Sequence, residues 1–519
     1  MLNFITNSRL LLVFIVPFFL GCVSSFSFQP FNYTVINFFI FPLLFLILSL
    51  INKLSKNIYR KRPYLRNFFL VGYLFGIGFF LTGTYWISNS LQFDATFRPL
   101  IPFTIILLPV FLGLFFGLCT LVCGPFLKFD LKSILFFSTI FSIFDYFRSK
   151  ILTGFPWNLW SYSWSWFTEV LQILNPIGLF AFNFIVIFIF TIPSVLFFKN
   201  YKRKYTVIIV TSLLFFLNYV YGNMTLNKNL LQVKGLDSKS KFINVKIVSP
   251  NFDLKYNLTD GELNSRFKKL IKYSEPDKDK ETLFIWPEGA LSGQYFSDIK
   301  KFKDQIRENF SDKHTIIFGA NTKVKEKFFN SFIIINHNFE KKYQYDKVKL
   351  VPFGEYLPFN KILENIGFKK ITEGFGSYSA GTERTGHLYK DQKIIPLICY
   401  EIIFTKLLQM DYSENSFVIN ISEDAWFGDS IGPHQHFAKS VFRAIESNSF
   451  ILRSANKGIS AVINNKGQVV KSLKSNESGN LEYALPVLKK KYKNRNDLIF
   501  FIVLITNLLI FVILKKNEK

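Results

Sequence analysis

Ile394-Ile395-Pro396-Leu397-Ile398-Cys399-Tyr400-Glu401 is the stretch that decides the fold. Five apolar residues run straight into a thiol and then a polar turn. A short apolar run bounded by a turn reads as a buried strand. A nucleophile at the end of such a strand is the arrangement of an α/β enzyme. Two further runs in the same polar segment end on ionisable groups. Thr282-Leu283-Phe284-Ile285 leads to Trp286-Pro287-Glu288, and Tyr343-Gln344-Tyr345 leads to Lys347. The other three cysteines, Cys22, Cys119 and Cys123, lie in long apolar stretches.

Outward from this segment the chain divides by composition. It has 519 residues, of which 65 are Phe, yet 19% are charged. Both are accommodated if one zone is lipid-embedded and another aqueous. Apolar runs of spanning length occur at 10–28, 33–51, 67–88, 100–123, 132–147, 170–198, 205–222 and 498–514. Each is near the roughly 20 residues that cross a bilayer core. About eight transmembrane helices are therefore expected. The domains read as 1–222 (seven helices), 223–490 (the polar domain) and 491–519 (the last helix and a short tail). The net charge is +26, from 62 Lys and Arg against 36 Asp and Glu. Much of it lies beside apolar spans, which favours an anionic lipid surface over nucleic acid. Short basic loops at 52–66 and 199–204 belong inside, which puts both termini in the cytoplasm and the polar domain outside. The cluster Lys489 to Arg495 opposes this, but long translocated domains largely escape the charge rule. Phe19-Leu20-Gly21-Cys22 resembles a lipoprotein signal, but seven further spans follow it.

Within 223–490, strands are expected at 242–248, 282–286, 314–319, 331–336, 394–398, 416–421, 450–453 and 459–464. Helices are expected at 259–273, 298–310 and 434–447. Thr259 with Glu262 has the spacing of a capping box. Two sheets covered by helices fit this order, an αββα sandwich.

A thiol attacks as thiolate, so it needs a base or a lowered pKa. Glu288 is the candidate base. Lys347 places a cation where oxyanion charge develops, and the Tyr400 backbone N–H is a second donor. Taken singly, each residue reads as a surface ion pair or inert core; three such groups at strand ends in one domain do not. His434 and His436 have no metal-ligand pattern beside them and read as polar groups at the surface or just behind the site, and no metal or cofactor is expected. Gly72, Gly76, Gly78 and Gly83 in the third span read as close helix packing. Few charges lie within the spans, which argues against ion-coupled transport.

Glu, Lys and Cys in this order resemble the nitrilase superfamily. Several stretches are more specific: Ile285-Trp286-Pro287-Glu288, Asn330-Ser331, Lys347 through Leu350-Val351-Pro352-Phe353-Gly354-Glu355, Cys399-Tyr400-Glu401, Asp424-Ala425-Trp426-Phe427 and Ser454-Ala455-Asn456-Lys457-Gly458. With Tyr85-Trp86-Ile87 and Gly154-Phe155-Pro156-Trp157 in the membrane half, nearly the whole chain resembles the apolipoprotein N-acyltransferases. The resemblance implies a nitrilase-like extracytoplasmic domain on a bacterial inner membrane anchor. It implies Glu288, Lys347 and Cys399 as the triad, Glu355 as a second essential carboxylate, and Asn330, Tyr400, Glu401 and Trp426 as supporting residues. Gly154 and Trp157 are possible contributors from the membrane side. The implied reaction moves an acyl chain from a phospholipid, typically phosphatidylethanolamine, through a Cys399 thioester to the N-terminal amine of a diacylglyceryl-cysteine lipoprotein. A monomer is expected. A membrane-anchored amidase is the alternative, for which one anchor helix would suffice. Tyr256 after Lys255, where the family usually has Trp, and Glu423 before Asp424, where it usually has Asn, depart from the pattern. Residues 353–378 read as a candidate lid at the bilayer interface.

Overall fold

A computed structural model describes residues 9–57, 63–199, 201–234, 242–255, 257–358, 377–409, 416–487 and 497–516. Tyr256, the basic cluster at 489–495 and most of the candidate lid (359–376) lie outside the described residues. The chain forms two compact units. One draws on Met1–Ser88, Leu100–Thr225 and Arg495–Lys519, the other on Asn89–Pro99 and Leu226–Asn494.

The first unit is helical. Among the described residues, seven segments are long and apolar enough to cross a membrane: Leu10–Ser27, Thr34–Ser55, Tyr64–Phe93, Arg98–Phe126, Leu179–Phe197, Lys204–Leu231 and Leu498–Lys516. The run expected at 132–147 is also a helix, Leu131–Arg148, but it carries Lys132, Asp145 and Arg148. Asp145 and Arg148 are buried and paired at 3.0 Å. Arg148 Nη1 donates to the carbonyls of Phe155 (2.7 Å) and Trp157 (2.8 Å). Asn183 Nδ2 donates to Asp145 Oδ2 (2.9 Å), and Asn183 Oδ1 accepts from the Ser161 amide (3.0 Å). These charges therefore order the Gly154–Trp157 loop instead of facing lipid. The run at 170–198 is not one helix. It breaks into Thr168–Leu171, Leu174–Ile177 and Leu179–Thr191, with Gly178 between the last two at φ +80°. Helix Lys204–Lys234 also continues past 222, where the first domain was expected to end. Trp160 is fully buried against the rings of Phe28, Phe41, Phe75, Phe79 and Phe116. Gly76 approaches Gly113 so closely that an added Cβ would lie 2.8 Å from its Cα, which is the small-residue packing expected in the third span.

The second unit is a sandwich of two six-stranded sheets. The strands are β1 (Phe242–Ser249), β2 (Thr282–Ile285), β3 (His314–Val324), β4 (Lys327–Asn336), β5 (Lys341–Asp346), β6 (His387–Tyr389), β7 (Gln392–Ile398), β8 (Ser416–Glu423), β9 (Ile451–Asn456), β10 (Ser460–Ile463), β11 (Val469–Leu473) and β12 (Gly479–Pro486). One sheet has the order β12-β1-β2-β3-β4-β5 and the other β11-β10-β9-β8-β7-β6. In each, the central strands are parallel (β1-β2-β3 and β7-β8-β9). Parallel strands are buried on both faces and so read as continuous apolar runs. β2 and β8 are buried at every residue.

Between the sheets lie Val245, Ile247, Ile285, Ile317, Ile398, Ile419 and Ile421. Helix Asp260–Ser274 covers the outer face of the first sheet through Leu263, Phe267 and Leu270. Its capping box is present: Thr259 accepts from the Glu262 amide, and Glu262 accepts from the Thr259 amide. Helix Gly432–Ser447 buries Val441, Phe442, Ala444 and Ile445. The outer helices and two inner sheets make the αββα order.

Candidate active site

Glu288, Lys347 and Cys399 each follow the C-terminal end of a strand: β2, β5 and β7. All three are buried, at 7%, 1% and 8% exposure. The backbone is shaped for this. Gly319 on β3 lies against Glu288, where an added Cβ would be 2.9 Å from the Glu288 Cα. Cys399 has φ +47°, a left-handed conformation that a non-glycine residue rarely adopts. It heads the helical turn Cys399–Ile403.

Lys347 Nζ hydrogen-bonds Glu355 Oε1 at 2.8 Å and stands 3.7 Å from Glu288 Oε1. Asn330 Nδ2 bridges the same two carboxylates, donating to Glu288 Oε1 (2.7 Å) and Glu355 Oε1 (2.9 Å). The Glu423 amide donates to Glu288 Oε2 (3.0 Å), and the Val351 amide to Glu355 Oε2 (2.8 Å). An ammonium has three donors, and only one is committed to Glu355 at normal hydrogen-bond length. A second can turn toward Glu288 Oε1, 3.7 Å away.

Burial pushes the Glu288 carboxyl above its ordinary pKa; Lys347 pulls it down and Glu355 pushes it up. Burial works against the Lys347 cation, but Glu355 and then Glu288 outweigh it, so its pKa is raised. The Cys399 thiol is raised first by burial and then by the Glu288 charge, with Lys347 opposing. At neutral pH the resting sulfur is therefore a thiol. A carboxylate of raised pKa is the better base.

Glu401 is fully buried and holds the turn that begins at Cys399. It accepts from the amides of Ile398 (2.9 Å), Val348 (2.9 Å) and Lys349 (3.1 Å) and from the Tyr345 hydroxyl (2.7 Å). One carboxylate thus ties the chain leaving β5, which bears Lys347, to the end of β7, which bears Cys399. Tyr400 is half-buried, its ring edge-on to Phe404. Trp426 is half-buried and packs edge-on against Phe93 at 5.4 Å. Asn89 Nδ2 donates to the Phe427 carbonyl at 2.8 Å. Gly154 and Trp157 belong to the helical unit.

A buried polar cluster behind Cys399 was not foreseen. Arg453 Nη2 donates to Asp424 Oδ2 (2.7 Å), and Arg453 Nη1 to Asn420 Oδ1. Ser422 Oγ donates to Asp424 Oδ1 (2.6 Å). His436 is fully buried, the second of its two expected settings, with Nδ1 3.0 Å from Asp424 Oδ1 and Nε2 3.3 Å from the Cys399 carbonyl. His436 thus sits between the Asp424 carboxylate and the backbone carbonyl of Cys399. The available signal was Arg453 itself, a charge directly after the apolar run Phe450-Ile451-Leu452. Glu423, the departure before Asp424, is buried and accepts from Asn456 Nδ2 (2.9 Å) and the Ala425 amide (3.1 Å). Burial holds its carboxyl well above the usual range.

Known proteins align with both units. Residues 20–192 match the Apolipoprotein N-acyltransferase N-terminal domain, and residues 264–487 match Carbon-nitrogen hydrolase. Apolipoprotein N-acyltransferase from Rickettsia typhi is 33% identical over 91% of this chain and 92% of its own length. The protein of that name from Brucella melitensis is 30% identical over 91% and 89%. Among solved structures, an amidase from Nesterenkonia sp. is 16% identical with a TM-score of 0.36, covering 49% of this chain and 93% of its own. A CN-hydrolase superfamily protein from Xanthomonas campestris is 16% identical with a TM-score of 0.34, covering 47% and 91%. By its matches over nine-tenths of its length, the chain belongs to the apolipoprotein N-acyltransferase family, the membrane-embedded branch of the carbon–nitrogen hydrolases.

Proposed function

We propose that this chain is a phospholipid-dependent N-acyltransferase acting through a thioester on Cys399. One observation carries the reading: buried Cys399, Glu288 and Lys347 each follow a strand end of one domain, with Lys347 Nζ 2.8 Å from Glu355 Oε1 and 3.7 Å from Glu288 Oε1. Glu288 takes the Sγ proton as sulfur attacks the ester carbonyl of the phospholipid. The oxyanion forms beside Lys347 and the Tyr400 amide. Its collapse breaks the ester C–O bond, and Glu288 returns the proton to the leaving lysophospholipid oxygen. The α-amine of a diacylglyceryl-cysteine then attacks the thioester. Glu288 removes the amine's proton and gives it to the departing sulfur, which restores the thiol.

Phosphatidylethanolamine is the expected donor. Both substrates carry acyl chains in the bilayer, which gives a reason for a helical unit far larger than one anchor. The short basic loops favour a periplasmic catalytic unit in the bacterial inner membrane, with both termini in the cytoplasm. The triad comes from one chain, so a monomer suffices. Relatives named N-acyltransferase over nine-tenths of the chain favour this reading over a membrane-anchored amidase.

The test is intact-mass analysis of the purified protein after incubation with phosphatidylethanolamine. One acyl adduct is expected, lost on hydroxylamine treatment and absent from Cys399→Ala. An adduct that survives both would contradict the thioester.

A further inference from the structure

Arg384 is 8% exposed, and none of Nε, Nη1 and Nη2 has a hydrogen-bond partner among the described residues. The fully buried Arg148 and Arg453 each hold a carboxylate, Asp145 and Asp424. A buried guanidinium without a counter-charge is destabilising, since its hydration is lost and nothing replaces it. Such a group is retained where a ligand supplies the anion.

Its place in the fold suggests which ligand. The chain before β6 is anchored beside the triad. The Tyr378 amide donates to the Glu355 carbonyl (2.8 Å), and the Gly381 amide to the Lys347 carbonyl (2.9 Å). The Tyr343 hydroxyl donates to the Thr385 carbonyl. β6 runs antiparallel to β7, with His387 opposite Ile394. Residues before His387 therefore lie on the side toward which β7 runs to Cys399. The Arg384 charge acts on Tyr345, whose hydroxyl donates to Glu401. Arg384 thus lies where the edge strands β5 and β6 of the two sheets meet, at their catalytic ends. Arg384, Cys399 and Glu355 are each 8% exposed.

We propose that Arg384 binds the phosphodiester of the acyl donor, its planar fork taking two anionic oxygens while the donor's ester carbonyl meets Cys399. This rests on the phospholipid-dependent reading above. A phosphate matches the guanidinium fork bidentately, which a lysine cannot do.

The test uses the full chain in detergent micelles with two acyl donors, phosphatidylethanolamine and the phosphate-free p-nitrophenyl palmitate. Arg384→Gln should raise KM for phosphatidylethanolamine by roughly tenfold or more, the loss of a charge-assisted bidentate contact. It should leave Cys399 acylation by p-nitrophenyl palmitate unchanged. Arg384→Lys should fall between. Arg384→Met should unfold at the same temperature as the lipid-free parent or higher, because it removes an unpaired buried charge. Equal losses on both donors, or a lower unfolding temperature for Arg384→Met, would make the residue structural and overturn the proposal. Stabilisation of the parent by inorganic phosphate, lost in Arg384→Gln while KM for phosphatidylethanolamine stays put, would make it a free-phosphate site and overturn the donor assignment. If the parent acylates Cys399 from phosphatidylethanolamine and Arg384→Gln does so equally well, only this inference fails. If the parent does not, the acyl-transfer reading fails with it.

Discussion

Glu355→Gln tests the electrostatics of the site at their centre. Glu355 accepts from Lys347 Nζ at 2.8 Å, from Asn330 Nδ2 at 2.9 Å and from the Val351 amide at 2.8 Å. A glutamine has one acceptor oxygen, so its amide nitrogen must face one of these donors. The site also loses a negative charge, and Lys347, now 3.7 Å from Glu288, turns to that carboxylate alone. Both changes act on the base in the same direction. Glu355 pushes the Glu288 pKa up and Lys347 pulls it down, so the substitution lowers it. A base works ionised, and rate falls as pH drops through its pKa. The acid limb of the pH–rate profile should therefore move to lower pH while the plateau falls. A charge-assisted hydrogen bond is worth about 1.5–3 kcal/mol, which is about 10- to 150-fold in kcat/KM. The assay is lysophospholipid release from phosphatidylethanolamine micelles across pH. An acid limb that stays in place or moves to higher pH would refute the assignment of Glu288 as base under Glu355 control.

Cys399→Ala should abolish acyl transfer in a folded protein, and the double variant with Glu288→Gln should be no slower, because parts of one catalytic unit are not additive; single-turnover rates measure this. Gly319→Ala should cut activity more than stability, since its Cβ would press on the Glu288 Cα at 2.9 Å; the overpacking cost is about 1–3 kcal/mol, read from urea midpoints. Asp424→Asn leaves Arg453 without its carboxylate and should cost about 3–5 kcal/mol, measured by the same titration. Burial raises the Asp424 pKa, but Arg453 and His436 outweigh it and hold it below the usual carboxylate value. Its stabilisation is therefore full above that value and lost as pH falls through the folded pKa, so Asp424→Asn should flatten the acid side of the stability curve.

What the sequence disclosed followed from burial pattern. The strand ends at Glu288 and Cys399 were legible because β2 and β7 are apolar runs that stop at an ionisable residue. The capping box was legible because its spacing is local. The edge strands were harder. Val469–Leu473 is mostly exposed and carries Lys471 and Ser472, so it shows no apolar run. β5, Lys-Lys-Tyr-Gln-Tyr-Asp, is likewise polar at an edge. In the membrane half, apolarity alone concealed the break at Gly178, which depends on a backbone angle and not on hydropathy. The Asp424–Arg453–His436 cluster joins residues far apart in sequence, and only the packing of β8, β9 and helix Gly432–Ser447 brings them together. Arg384 gave no sequence signal at all, since an arginine in a polar stretch reads as solvated.

The central claim is a covalent acyl-enzyme formed before the acceptor binds. Enzyme and phosphatidylethanolamine, mixed without any lipoprotein, should release lysophospholipid in a burst approaching one equivalent per active site and then stop. Adding a diacylglyceryl-cysteine peptide should restart turnover. Absence of lysophospholipid until the acceptor is present would mean that both substrates react in one complex, and the thioester account would be wrong.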